Sequence, residues 1–316
     1  MEGSLIYRRD SFEGEGLVER VVHFDFSLVL KEFEDFSVVA DTNRIYFLRS
    51  VVKPLITVAY YDELVKKGID LGELSDEELA VASASHSGEK EHILLVNSIL
   101  QKAGLNTSYL MTPESYPIDE LARAKLRAYG LKPERIYHNC SGKHAMALYY
   151  LKKSGLGNVI ESYLKSDDTY HPVEMLIEKL DEKFVSGVDG CGFKNWAFSS
   201  VAFLRWLLEN FNHRVLKACR RNPKLVGGTN RVDTLIMKAN SEKVLAKTGA
   251  ASQIIVVTES VGVYVKSECA TSNEVGYIAI KLLEKFVSVA MPSEIDLCYR
   301  NGHGEVVGEV ELNANL

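Results

Sequence analysis

The chain has 316 residues, 46% of them hydrophobic and 25% charged, with 37 Lys and Arg against 43 Asp and Glu for a formal net charge of −6. The apolar content excludes a disordered chain, and the acidic balance excludes a general binder of DNA, RNA or anionic membranes. No apolar run approaches the ~18 residues that a membrane span requires.

The start, Met1 to Glu13, is charged and polar and lacks the apolar core of a signal peptide, so the cytoplasm is the expected location. From Leu17 to Tyr46 the chain is rich in Val and Phe, and Val22-His23-Phe24-Asp25-Phe26 alternates with the period of a strand. Ser75-Asp-Glu-Glu78 is a capping box that opens a short helix. Ile93, Val96 and Leu100 predict a helix ending near Gly104, Ile118 to Tyr129 another before Gly130, and His144 to Lys153 a third before Gly155. Asn195 to Asn210, with Trp196, Phe203, Trp206 and Leu207, reads as one apolar helix. The basic stretch His213 to Lys224 has no interleaved aromatics to stack bases and reads as a solvated helix end. Ile254 to Val257 and Val261 to Val265 are β-branched runs, Val275 to Phe286 a late helix, and Val306 to Leu312 an alternating strand.

Strands at both ends and helices between them predict an α+β fold. Both chain ends build one antiparallel sheet, and the helical middle forms a second lobe of a single domain, 1–316. No G-x-G-x-x-G or Walker loop supports a nucleotide. Five scattered cysteines are not a disulfide framework.

Several loops carry groups capable of chemistry. In Arg49-Ser50-Val-Val-Lys53-Pro54, the proline marks a helix start, and Lys53 lies one turn beyond Ser50 on the same face. A serine hydroxyl becomes nucleophilic when a base takes its proton, and a lysine neutralised by burial can be that base. Ala84-Ser85-His86-Ser87-Gly88-Glu89 is a hydroxyl-rich loop, in which Ser87 reads equally as a helix cap and His92 beyond it as a surface residue. His138-Asn139-Cys140-Ser141-Gly142-Lys143-His144 brings a cysteine and a lysine to a helix start, where thiolate character is favoured. Asp189-Gly190-Cys191-Gly192 and Ala246-Lys247-Thr248-Gly249-Ala250 complete the set. Cys140 and Cys191 lack zinc-finger spacing, which leaves open a partial site of two thiolates and a nitrogen.

The ordered co-occurrence of these segments resembles the rhizobial-type, thermolabile L-asparaginases (the asparaginase II family). Gly228 to Met237, with Arg231, Asp233 and Thr234, is similar to a further segment of that family. The resemblance runs from about Leu17 onward and implies a fold like that of serine β-lactamases and transpeptidases. It implies hydrolysis of L-asparagine to L-aspartate and ammonia, with Ser50 as nucleophile, Lys53 as its base, and Ser85 and Lys247 as a second Ser–Lys pair. It further implies zinc at Cys140, Lys143 and Cys191, substrate binding by Arg49, His144 and Asp189, and a homodimer. Cys219, Cys269 and Cys298 then read as core residues.

Two residues depart from the family pattern: Ala251 stands where a glutamate is usual, and Ser87 where an asparagine is. Two other readings accompany this one. Lys247-Thr248-Gly249 spells the Lys-Thr-Gly of β-lactamases, so another amide, including glutamine, is an alternative substrate. Ala251 keeps open an inactive paralogue that binds an amino acid or a metal.

Overall fold

Alternating residues at the chain ends resolve into strands in the computed structural model, which describes residues 1–11, 14–33 and 35–314. Residues 12 and 13 of the polar start, and residue 34 of the strand-rich stretch, lie outside the described residues. The chain opens with β1 (Glu2–Ser11), β2 (Gly14–Glu32), β3 (Asp35–Ala40) and β4 (Tyr46–Phe47). Helices α1 (Lys53–Lys66), α2 (Asp76–Ala82), α3 (Lys90–Lys102), α4 (Glu120–Ala128), α5 (Ser141–Lys153) and α6 (Asp167–Leu180) follow. The hairpin β5 (Val185–Val188) and β6 (Lys194–Phe198) leads into α7 (Ser200–Glu209), α8 (Arg214–Arg221), α9 (Pro223–Val226) and α10 (Val232–Ala239). The chain closes with β7 (Leu245–Gly249), β8 (Gln253–Val257), β9 (Val261–Ser267), α11 (Ser272–Leu283), β10 (Tyr299–Arg300) and β11 (Val306–Asn313).

Two compact units divide these elements. The first contains Met1–Tyr46, Ser199–Phe211 and Leu235–Leu316. Its sheet runs β10-β11-β1-β2-β9-β8-β7, with β3 also on β2. All these pairings are antiparallel among the described residues. Ser4 to Arg9 pair with Asn313 back to Gly308, and Phe24 to Leu30 pair with Ser267 back to Val261. The two chain ends therefore share one sheet, as the patterning predicts. Val22, Phe24, Phe26 and Leu28 alternate along β2 and are all buried. The helix α11 is fixed to the sheet through Glu274. Its carboxylate accepts from Tyr7 Oη and Arg20, each at 2.5 Å, and closes a capping box with Thr271.

The second unit, Phe47–Phe198 and Asn212–Thr234, is the helical middle. Its central helix is α5, in which every residue from Ser141 to Leu151 is buried, while α1 is buried along one side and through its first two turns. Helices apolar on all sides belong in a core, and α5 packs against α1, α2 and α3. The predicted capping box at Ser75 is present. The basic stretch is less solvated than its composition suggests. Arg214 bonds to Asp76 and the Leu74 carbonyl, and Arg220 is buried. Among the described residues, no helix is long and apolar enough to cross a membrane.

The single helix expected over Asn195 to Asn210 is corrected. Residues 195–198 belong to β6, and α7 starts after Ser199, whose hydroxyl accepts from Ala202 N at 3.2 Å. The continuous apolar run hides this junction, and the cap serine marks it. Of the cysteines read as core, Cys219 is buried, but Cys269 and Cys298 are exposed.

One close approach positions the unit's chemistry. A Cβ on Gly142, in the first turn of α5, would stand 2.1 Å from the Val81 carbonyl oxygen at the end of α2. Ala is ordinarily favoured over Gly in a helix by ~1 kcal/mol. Here the backbone clash reverses that sign, so Gly142→Ala is expected to destabilise the protein by about 1–3 kcal/mol, read as a lower denaturant midpoint with an unchanged slope.

Candidate active site

The turn that carries Ser50 is held by a strand. Arg49 to Val52 form one 3₁₀ turn ahead of α1, with Pro54 in its first turn. Arg49 has φ +51°, a left-handed conformation that costs a non-glycine residue ~1–2 kcal/mol. The strain is maintained from β6, where Asn195 Oδ1 accepts from Arg49 N at 3.0 Å and the Trp196 carbonyl accepts from Leu48 N at 3.0 Å. Such outliers cluster at functional sites. Ser50 is buried on this turn, and its carbonyl accepts from Lys53 N.

The side chain of Lys53 is almost wholly buried. Its Nζ lies 2.7 Å from the Ala84 carbonyl, 3.1 Å from Ser85 Oγ, 3.2 Å from Cys140 Sγ and 3.4 Å from the Asn139 carbonyl. Burial pushes this amine down from its ordinary value. The charge of Cys140 opposes that shift, and the charge of Lys143 adds to it. A neutral amine in this cage can donate two hydrogens and accept one from a hydroxyl. Among the described residues, the hydroxyl within hydrogen-bond distance of Nζ is that of Ser85, on the loop after α2.

That loop is anchored on both sides. Ser85 N donates to the Val226 carbonyl at 3.0 Å, and Ser87 Oγ to the Gly227 carbonyl at 3.0 Å. Ser87 is thus a loop anchor, and the cap of α3 is Glu89. His92, a surface residue on the sequence reading, is buried and stacks on His86 at 5.2 Å. Glu89 accepts from Thr229 N at 2.7 Å and Thr229 Oγ1 at 2.8 Å, which ties the segment holding Arg231 and Asp233 to the same loop.

Cys140, at the start of α5, and Cys191, in the turn between β5 and β6, are both buried free cysteines. Lys143 Nζ donates to Cys191 Sγ at 3.3 Å and lies 4.2 Å from the Phe193 ring centroid. A hydrogen bond from Cys191 and the charge of Lys53 hold the Cys140 thiol well below the usual thiol range, against the pull of burial. The same shared hydrogen bond, with burial, pushes Cys191 up. That shared hydrogen bond separates the two thiols, with Cys140 the more acidic and Cys191 the less.

The zinc site expected at Cys140, Lys143 and Cys191 is corrected. Among the described residues, no three His, Cys, Asp or Glu side chains stand where one metal ion could meet them. Each sulfur is instead engaged by a lysine amine. Two thiols fall short of a structural zinc set, and Lys143 acts as a hydrogen donor where a ligand needs a free lone pair.

Three further predicted residues lie in the same unit. Arg49 pairs with Asp189 at 2.7 Å. His144 is buried, with Nδ1 2.5 Å from Tyr163 Oη. Lys247 belongs to the other unit, on β7, where it is buried and its Nζ lies 3.0 Å from the Thr248 carbonyl. Ala251 and Ser252 both have positive φ in the turn between β7 and β8. Lys53, Ser85 and Cys140 come together, as do Lys143 with Cys191 and Arg49 with Asp189. Sequence reasoning gave no role to Asn195, which holds the Ser50 turn, or to Tyr163, which meets His144. Neither position carries a local signal, because each acts across more than 18 residues of chain.

A family model described as L-asparaginase II matches residues 12–312. The chain belongs to the L-asparaginase II family. That membership supports amidohydrolase activity. No curated protein matches the chain. Solved structures similar to it include Mglu in its native form in 4.3 M NaCl, with 12% identity over 83% of this chain and 61% of that one at a TM-score of 0.35. The glutamate form of Mglu is similar at 13% identity over 83% and 60%, also at 0.35. The chain spans about three fifths of the length of those structures.

A depressed Cys140 pKa has a signed consequence. At pH 7 the unmodified protein is expected to show the ultraviolet absorption of one thiolate more than Cys140→Ser does, and that difference should disappear as pH falls through the depressed value. Equal absorption of the two proteins at pH 7 would contradict the assignment.

Proposed function

We propose that the protein hydrolyses L-asparagine to L-aspartate and ammonia. The observation that carries this reading is a buried Lys53 amine one helical turn after Ser50, in a chain matching the L-asparaginase II family over residues 12–312. In the proposed sequence, Ser50 Oγ attacks the side-chain amide carbon while neutral Lys53 accepts the hydroxyl proton. The oxyanion forms at the positive end of α1, whose dipole favours it. Its collapse breaks the C–N bond as the lysine proton passes to the departing nitrogen, which leaves as ammonia. Water then attacks the β-aspartyl ester and gives a proton to Lys53, the bond between the acyl carbon and Ser50 Oγ breaks as Lys53 returns that proton to Oγ, and aspartate departs.

The site's other groups follow from their chemistry. Arg49 suits the α-carboxylate and Asp189 the α-ammonium of the substrate. Without substrate these two charges satisfy each other at 2.7 Å. The Cys140 thiolate balances the charge that Lys53 gains as it takes a proton. Ser85, within hydrogen-bond reach of Lys53, is read as a proton relay to the amine. Lys247 is assigned to the chemistry by its motif alone and is tested by its own alanine variant. The wider likeness to β-lactamases and transpeptidases, and the homodimer, belong to this same reading.

The test is ammonia release from a panel of L-asparagine, L-glutamine and short amides. Asparagine is expected to be the preferred substrate, and Ser50→Ala to lose about 10³-fold or more in kcat/KM. Full activity in Ser50→Ala would end this mechanism, and asparagine binding without turnover in the unmodified protein would favour a non-catalytic paralogue.

A further inference from the structure

We propose that Tyr163 is a positioning residue. Its phenol hydrogen fixes His144 in the tautomer that carries a proton on Nε2, and this buried N–H is the donor to a carboxylate oxygen of the substrate. The inference deepens the function proposed above and rests on it.

One hydrogen decides the tautomer. Tyr163 Oη accepts from Met111 N at 3.1 Å and lies 2.5 Å from His144 Nδ1. A phenol has a single hydrogen to give. Directed at Nδ1, it satisfies Met111, Tyr163 and Nδ1 together. The opposite arrangement, with Nδ1 donating, would leave the phenol hydrogen without an acceptor among the described residues. Nδ1 is therefore the acceptor, and in a neutral imidazole the remaining proton sits on Nε2. Burial, with the charge of Lys143 adding to it, holds this imidazole well below its ordinary range, so the neutral form is the one present.

His144 Nε2 is buried and has no hydrogen-bond partner. Leaving such a donor unpaired costs ~1–3 kcal/mol. The buried histidines of the neighbouring loop show no such gap. His86 accepts from Gly88 N and meets Ser141 Oγ, while His92 accepts from Glu89 N and meets the Lys224 carbonyl. The open nitrogen of His144 is thus a local exception. It sits beside the proposed substrate groups, because the imidazole packs edge-on against Phe193 at 5.2 Å and the Phe193 carbonyl accepts from Asp189 N at 2.8 Å. Arg49, whose guanidinium pairs with Asp189, also has a buried, unpartnered Nε–H. Two orphaned donors of this kind call for an acceptor-only group, which a carboxylate is.

The test compares Tyr163→Phe in two backgrounds. In the unmodified protein it is expected to raise KM for L-asparagine about tenfold while kcat changes less than about threefold, as loss of a binding-only contact requires. In His144→Gln, the amide nitrogen reproduces the Nε2 donor without a tautomer to fix, so adding Tyr163→Phe is expected to change KM less than about twofold. Nitrogen NMR of histidine-labelled protein supplies a readout independent of turnover. It should find Nδ1 bare and Nε2 protonated in the unmodified protein, and a mixture of tautomers in Tyr163→Phe. An equal KM rise in both backgrounds would make Tyr163 merely structural and overturn the inference, as would a proton on Nδ1 or an unchanged KM. Ammonia release by the unmodified protein with any of these results leaves the proposed function standing. Failure of the unmodified protein to release ammonia from asparagine removes that function and the substrate role of His144 with it.

Discussion

The chemistry of the helical unit depends on taking one lysine amine out of water. A buried ammonium without partners is prohibitively costly, so the amine of Lys53 either loses its proton or is surrounded by acceptors. The structure makes both outcomes accessible. The Ala84 and Asn139 carbonyls, Ser85 Oγ and Cys140 Sγ surround Nζ, while burial pulls the pKa down and the Cys140 charge pulls it back. A base with these opposed influences can take and return a proton during a reaction. Remove the thiolate, and the amine would be neutral but poor at accepting a proton. Remove the burial, and it would stay charged.

The backbone is arranged for this balance. Lys53 opens α1 and Lys143 lies in the first turn of α5, both at helix N-termini. A positive dipole end disfavours cations and favours a thiolate or an oxyanion, so Lys53 sits where its neutral form gains and Cys140 where its anion gains. The two helix starts belong to the most deeply packed helices of the unit. Gly142 allows α5 to lie on the end of α2, close to the Ala84–Ser85 loop. The strained Arg49, held by Asn195 on β6, sets the entry into α1. Packing against α1, α2 and α3 supplies the rigidity that strain at Arg49 requires.

Much of this was legible before any coordinates. The alternation of β2 and β11, the capping box at Ser75 and the glycine stops after α3, α4 and α5 all report local periodicity or cap chemistry, which a sequence carries openly. The clustering of Lys53 with Cys140 was legible only through family resemblance, because its members are 87 residues apart. Other features stayed hidden for physical reasons. The strand β6 merges into an apolar run with α7, and α6 carries Pro172 inside it. In β1, buried Leu5 and Tyr7 are followed by charged residues that mask the alternation. The zinc reading failed because a pattern of cysteines and a lysine does not reveal whether the lysine offers a lone pair or a hydrogen. Tyr163 and Asn195 act through tertiary hydrogen bonds that leave no local trace.

The proposed mechanism requires Lys53 to activate Ser50, although its amine also reaches the hydroxyl of Ser85. Acid-quenching the protein during turnover of L-asparagine and mapping its peptides by mass spectrometry separates the two serines directly. One aspartyl group is expected on the peptide carrying Ser50, absent in Ser50→Ala. An aspartyl group on the peptide carrying Ser85 would contradict that mechanism.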